Sequence, residues 1–223
     1  MRVKCFAAAI VAAAIGMVAF SGQASAAILA TWTFETSIPA TAGPFSPEVG
    51  SGAGLGLHAS GAAVYSNPVG NGSAESFSSN TWAVGDYYQF STATGGNSIL
   101  NVTWDQVSSS TGPRDFSIAY STDGTTFTSI APYVVLVNTG VNTWSAGTPI
   151  LTTSYAASVS SISASTIYFR MTNTSTVSAG GATVAAGGTN RIDNVSIAGV
   201  PEPATLGLAG MGLLGFAAVR RRS

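Results

Sequence analysis

Charge is scarce in this 223-residue chain: 8% of its residues are Asp, Glu, Lys or Arg, against about 25% in ordinary globular proteins. Lysine is nearly missing. Its one copy, Lys4, stands with Arg2 at the front, while Arg220, Arg221 and Arg222 stand at the end. Residues 27–199 hold only Arg114, Arg170 and Arg191 against eight acids, a net charge of −5. A surface so poor in cations cannot neutralise a phosphate backbone, which excludes nucleic acid as a partner. Cysteine occurs once, at Cys5, and histidine once, at His58. There is consequently no disulfide framework and no Cys/His set for zinc.

Long apolar runs are confined to the two ends. Arg2 and Lys4 form a positive n-region, Phe6 to Phe20 an apolar h-region of 15 residues, and Ala24-Ser25-Ala26 a small-residue cleavage site. This pattern is a secretory signal peptide over residues 1–26, with cleavage between Ala26 and Ala27. The apolar run is shorter than the roughly 20 residues that span a bilayer. Cys5 leaves with the signal, so a hydrophobic core rather than crosslinks must hold the exported fold.

Residues 27–199 amount to one domain. Helical periodicity is missing there, and apolar residues alternate with polar ones instead. Trp32 and Phe34 alternate with Thr31, Thr33 and Glu35; Leu100, Val102 and Trp104 with Asn101, Thr103 and Asp105, so that Asp105, like Asp115, reads as an outward strand residue. The same period marks Phe116–Ser121, Ile167–Thr172 and the closing run Arg191–Ile197. Period two means half-buried strands, and the expected fold is all-β, an antiparallel sandwich. Asp123-Gly124 is a two-residue turn pair, which puts Tyr120 opposite Phe127 and Ile118 opposite Ser129. The Gly/Ser/Thr/Asn-rich stretches 41–56, 70–80 and 173–189 read as loops.

Catalytic signatures are thin. A Ser-His-Asp triad would have to use His58, and no serine lies in a G-x-S-x-G setting. The acids show no spacing that selects a glycosidase pair. The reading is non-enzymatic, with a secreted glycan-active enzyme as an alternative. Glu35, at the end of the first strand, and Asp193, inside the last, would meet if those strands pair. Their oxygens suit a structural Ca²⁺; the alternative for Asp193 is an ion pair with Arg191 or Arg170, or a turn cap. Trp82, Tyr87, Tyr88 and Trp144 are candidates for stacking on sugar rings, or else are core.

Val200-Pro201-Glu202-Pro203 precedes Ala204 to Val219, which is apolar or glycine except for Thr205, and then Arg220-Arg221-Arg222. Sixteen helical residues span roughly 24 Å, close to a membrane core of about 30 Å, and the arginines hold the far end in the cytoplasm. The expected element is one C-terminal hydrophobic helix. In this order, behind a signal peptide, residues 200–223 resemble the PEP-CTERM sorting signal of Gram-negative bacteria. That resemblance implies an exosortase as partner, processing near Pro201-Glu202-Pro203, passage through the inner membrane, and delivery to the cell surface or exopolysaccharide matrix. The body, through GPRDFSIAYSTDGTTFTSI, IYFRM and GGTNRIDNVSIAG, resembles jelly-roll, lectin-like sandwich modules. In such modules an early Glu and a late Asp hold a structural metal, which singles out Glu35 and Asp193. The expected function is adhesion or polysaccharide association, the alternative a purely structural matrix protein.

Overall fold

Alternating side chains sort themselves into two sheets that close on one apolar layer. The computed structural model describes residues 26–200. The signal segment before Ala26, Pro201-Glu202-Pro203, the apolar stretch 204–219 and Arg220–Arg222 lie outside the described residues. The strands in chain order are β1 (Ala27–Trp32), β2 (Val49–Gly50), β3 (Ala53–Leu57), β4 (Tyr65–Ser66), β5 (Phe77–Ser79) and β6 (Tyr87–Ala93). They continue with β7 (Ile99–Ser108), β8 (Asp115–Ser121), β9 (Thr128–Val134), β10 (Leu136–Val137), β11 (Ser154–Val159), β12 (Thr166–Asn173) and β13 (Asn190–Val200). Among the described residues the only helices are two three-residue 3-10 turns, and none is long and apolar enough to cross a membrane.

One sheet has eight strands, with β10-β7-β13-β1-β2 along its main path and β11, β5 and β4 attached; the other has five, in the order β3-β6-β12-β8-β9. All pairings are antiparallel except the short β10–β7 ladder. The first and last long strands lie side by side, as the sequence suggests, with Trp32 opposite Val195 and Ala27 opposite Gly199. The inward rows are Trp32, Leu100, Val102, Val195 and Ile197 from the larger sheet, and Tyr88, Phe90, Phe116, Ile167, Phe169 and Met171 from the smaller; each is fully buried. Side chains of this size are worth about 1.5–3 kcal/mol each on burial, so this layer can hold the fold with no crosslink.

Three local expectations fail. The stretch 70–80 is not all loop, because Phe77–Ser79 forms β5 and pairs with β13. The stretch 41–56 is not all loop either, because it holds β2 and most of β3, which forms an edge of the five-stranded sheet. The inward positions of β3 are Gly54 and Gly56. A Cβ on Gly54 would meet the Phe45 ring at 2.4 Å, and one on Gly56 would meet Tyr65 at 3.1 Å and Phe77 at 3.2 Å. The missing side chains make room for aromatic rings from elsewhere, which hides the strand from any periodicity reading. The hairpin register is also shifted: Tyr120 faces Thr128, Ala119 faces Ser129 and Ile118 faces Ala131. Asp123 is the cause. Its Oδ1 accepts hydrogen bonds from the backbone N–H of Thr125 and Thr126, both at 2.8 Å, and from Ser121 Oγ. This Asx-type loop holds Asp123 well below the usual carboxylate range and is longer than a two-residue turn. Slipping the register by one sends a side chain to the other face. Tyr120 packs against the core, and Phe127 lies on the outer surface of the five-stranded sheet.

Candidate functional site

The outer surface of the five-stranded sheet carries the polar positions of β3, β6, β12 and β8. Arg170 on β12 stands beside Gln89 on one neighbouring strand and Ala119 on the other. Its guanidinium carbon lies 3.9 Å from the centre of the Tyr87 ring and 3.5 Å from that of Phe127. Nε and Nη2 both donate to Gln89 Oε1, at 3.0 and 2.7 Å. Ala119 is 9% exposed although it faces outward, because the small residue lies beneath this stack. Tyr168 adds a third ring, resting on Gly124 of the hairpin loop, where a Cβ would come within 3.1 Å of it. The φ of +75° at Gly124 likewise favours a residue without a side chain. Tyr87, Phe127, Tyr168 and Arg170 are all partly exposed.

Of the aromatic candidates in the sequence, Tyr87 alone faces outward. Trp82 is 6% exposed and Trp144 2%. Trp82 donates from its indole to Ser79 O and packs edge-on against Tyr88, Phe116 and His58. Trp144 donates to Thr153 Oγ1. Tyr88 is fully buried and donates to Asn190 O. These three are core, and their rings offer no platform to a ligand. Their burial follows from strand register and loop closure, which composition does not reveal.

At one end of the larger sheet, Glu35 and Asp193 grip the same loop. Glu35 lies just past β1, whose last residue is Trp32, and its Oε1 accepts the Glu75 N–H at 2.8 Å. Asp193 Oδ2 accepts the Asn71 N–H at 2.8 Å and Ser73 Oγ–H at 2.6 Å, and its Oδ1 accepts the Asn194 N–H at 2.7 Å. Asp193 forms no ion pair with Arg191 or Arg170 among the described residues. Its cross-strand neighbour on β7 is instead a second acid, Asp105, which is 8% exposed rather than outward-pointing. Like charges directly opposite repel. A β-bulge after Asp193 puts Asn194 at φ 48°, and its Nδ2 donates to Asp105 Oδ2 at 2.8 Å and to Asp193 Oδ2 at 3.4 Å. Burial pushes the Asp193 carboxyl up to about 7, against the hydrogen bonds from Ser73, Asn71 and Asn194 and with Asp105 adding to the rise.

The donors around this loop are hard oxygens, the kind calcium takes. Ser73 Oγ, the Glu75 carbonyl and Asp193 Oδ2 all lie within 2.3 Å of the point a Cβ on Gly70 would occupy, so they converge where no side chain fits. Among the described residues no group of three or more His, Cys, Asp or Glu is placed to hold a metal. Backbone and hydroxyl oxygens would therefore have to complete a cation's shell here.

His58 does sit between an acid and a serine. Nδ1 lies 3.0 Å from Asp86 Oδ2 and Nε2 2.9 Å from Ser79 Oγ. Asp86 is further fixed by the N–H groups of Ala59 and Ala83 at 2.7 Å. The order of groups is that of a nucleophilic triad, but the surroundings are not. Ser79 is 1% exposed, and its Oγ also bonds Tyr88 OH at 3.0 Å. That oxygen is enclosed by its protein partners. The chain Asp86–His58–Ser79–Tyr88–Asn190 instead runs from the five-stranded sheet to the eight-stranded one and ties them together. Burial lowers the His58 pKa below its ordinary value, against the pull of Asp86.

Residues 199–222 match the PEP-CTERM protein-sorting motif, which indicates export and sorting toward the cell surface in bacteria. No curated protein matches the chain. Solved structures of similar architecture include the N-terminal CBM22-1-GH10 modules of endo-1,4-beta-D-xylanase 10B from Clostridium thermocellum, complexed with xylohexaose. There the identity is 12%, the TM-score 0.44, and the match covers 78% of this chain but only 29% of the xylanase chain. The K1 cleaved adhesin domain of Lys-gingipain from Porphyromonas gingivalis W83 matches with 13% identity and a TM-score of 0.43, over 75% of this chain and 95% of that one. A carbohydrate binding module of lichenase 5A from Cellvibrio mixtus, in complex with cellotriose, matches with 13% identity and a TM-score of 0.36, over 77% and 97%. Nothing about this chain's ligand follows from these likenesses.

Proposed function

We propose that this chain is an exported, non-catalytic β-sandwich that an exosortase processes near Pro201-Glu202-Pro203, and that it associates with extracellular polysaccharide through the outer face of its five-stranded sheet. The observation that carries the reading is the partly exposed Tyr87 and Phe127 on either side of Arg170, with Tyr168 two residues away on the same strand. Sugar rings bring apolar C–H faces and many hydroxyls, so aromatic surface beside polar side chains suits them. A groove of about 460 Å³ adjoins the loop that carries Phe127, and Thr122, Asp123, Thr126, Ser161 and Ser163 supply hydroxyl and carboxylate partners along it. Gel retardation of the mature protein in polysaccharide-loaded gels tests the reading. Binding that Tyr87→Ala weakens supports it; no retardation on any polysaccharide favours a matrix protein without a specific ligand.

Cleavage by a signal peptidase between Ala26 and Ala27 would leave an exposed N-terminus at the head of β1 with every strand intact. Mass spectrometry of surface protein should find that terminus and no Arg220–Arg222. An intact tail on the exported protein would count against processing. A structural Ca²⁺ held by Glu35 and Asp193 belongs to the same proposal. It would pin the loop over residues 70–75 to both the first strand's end and the last strand, and EDTA would then lower the melting temperature.

A further inference from the structure

Arg170 is unusual among the body's three arginines. Arg114 pairs with Asp115 at 2.8 Å. Arg191 is largely covered, and its Nη1 reaches only the Val69 carbonyl, at 3.5 Å. Arg170 stands on an exposed face, and no carboxylate lies within ion-pair distance of it among the described residues. Asp123, the acid of the loop that leads to Phe127, has its Oδ1 committed to Ser121, Thr125 and Thr126. Gln89 takes the Nε–Nη2 edge of the guanidinium and leaves the Nη1–Nη2 edge without a protein partner among the described residues. Two rings fix the plane of the group. A guanidinium so held has lost its rotational freedom before any ligand arrives, and its fork geometry matches a carboxylate.

We propose that this face reads an acidic polysaccharide, with the carboxylate of a uronic acid on the free edge of Arg170 and the sugar against Tyr87, Phe127 or Tyr168. The inference rests on the polysaccharide reading above and narrows it to a chemical class. A domain carrying eight acids against three arginines repels polyanions at long range, so affinity for one would have to come from a local, specific contact rather than from bulk charge.

The test compares polygalacturonate with the same polymer after its carboxyl groups have been reduced to alcohols, by affinity electrophoresis and calorimetry on the mature protein. A charge-assisted contact is worth about 1.5–3 kcal/mol, so reduction should weaken binding about tenfold to a hundredfold. Arg170→Gln should remove that preference, and Arg170→Lys, which keeps the charge without the fork, should retain part of it. Equal affinity for the two polymers, or an undiminished preference in Arg170→Gln, overturns the acidic class and leaves the polysaccharide reading standing. Binding to neither polymer, nor to any neutral glycan, overturns both. Because carboxyl reduction alters only the ligand, the first comparison does not depend on how the variants fold.

Discussion

Two polar constellations in this molecule look alike on paper and differ in what surrounds them. Around His58, the carboxylate, imidazole and hydroxyls of Asp86, Ser79 and Tyr88 form a closed chain whose every member has a protein partner. Around Arg170, the contacts are two rings and a glutamine, and part of the cation faces outward. The first resembles chemistry and holds the two sheets together; the second resembles ordinary surface and is the one with an unspent donor. Burial decides between them. A polar group satisfied inside the protein stabilises the fold, whereas an oriented group left partly open is available to something else.

The sharpest way to separate the two regions is to remove one ring from each. Trp82 touches His58, Tyr88 and Phe116 and donates to Ser79 O. Trp82→Ala should destabilise the protein by about 3–5 kcal/mol, visible as a large fall in the denaturant midpoint with no specific change in ligand preference. A near-normal midpoint would return Trp82 to the list of surface platforms. The next effect in size concerns the loop that Glu35 and Asp193 share. If calcium is held there and saturates the site about a hundredfold, EDTA should cost about 2.7 kcal/mol, a fall of roughly 5–10 °C in melting temperature for a domain of this size. Asp193→Asn should abolish the response to EDTA, and an unchanged wild-type melting temperature would retire the metal.

The strand framework was legible because alternation survives wherever a strand has one dry face. Leu100, Val102 and Trp104 on β7 and Ile167, Phe169 and Met171 on β12 announce their inward rows, and the adjacency of the first and last strands follows from the sandwich itself. The site was much less legible. Whether an aromatic is core or surface depends on its register, and nothing local distinguishes Tyr87 from Tyr88. Phe127 reached the outer face only because Asp123 folds its side chain into the loop and shifts the hairpin by one position. Arg170 was readable as outward from β12's alternation, but its value lies in having no carboxylate within ion-pair distance among the described residues, which is a three-dimensional fact. Asp105 failed for the converse reason: the bulge at Asp193 and the amide of Asn194 let a second carboxylate be buried opposite the first. His58 lies in the Gly/Ala-rich stretch GLGLHASGAA, which carries no sign of its partners, because they stand 21 and 28 residues away.

A smaller effect probes the closed chain through pH. Burial depresses the His58 pKa below its ordinary value of 6.5, which favours the neutral imidazole in the folded protein. In the unfolded chain it takes up a proton as the pH falls past about 6.5, so the unfolded state binds more protons. The stability contributed by neutral His58 is therefore complete above about 6.5 and is lost on acidification below it. Asp193, with its carboxyl pushed upward, works in the opposite sense, so the measurement must be a difference. His58→Gln should be less stable than wild type at pH 7.5, by about 1–2 kcal/mol for the broken buried contact. That deficit should shrink as the pH is lowered toward 5.5, and a constant deficit would mean that His58 does not titrate in this window.

The smallest stability effect belongs to the open face, and its smallness is the point. Tyr87 is partly exposed and its described polar contact is with Arg170. Tyr87→Ala should change stability by no more than about 0.5–1 kcal/mol, the size of an exposed cation–π contact, while weakening retardation on polysaccharide. That combination cannot arise from a general loosening of the fold, which would move both quantities together. Should Tyr87→Ala unfold the protein as readily as Trp82→Ala, the Tyr87–Arg170–Phe127 stack would be part of the scaffold, and the contrast between a closed and an open constellation would collapse into two ways of holding one sandwich shut.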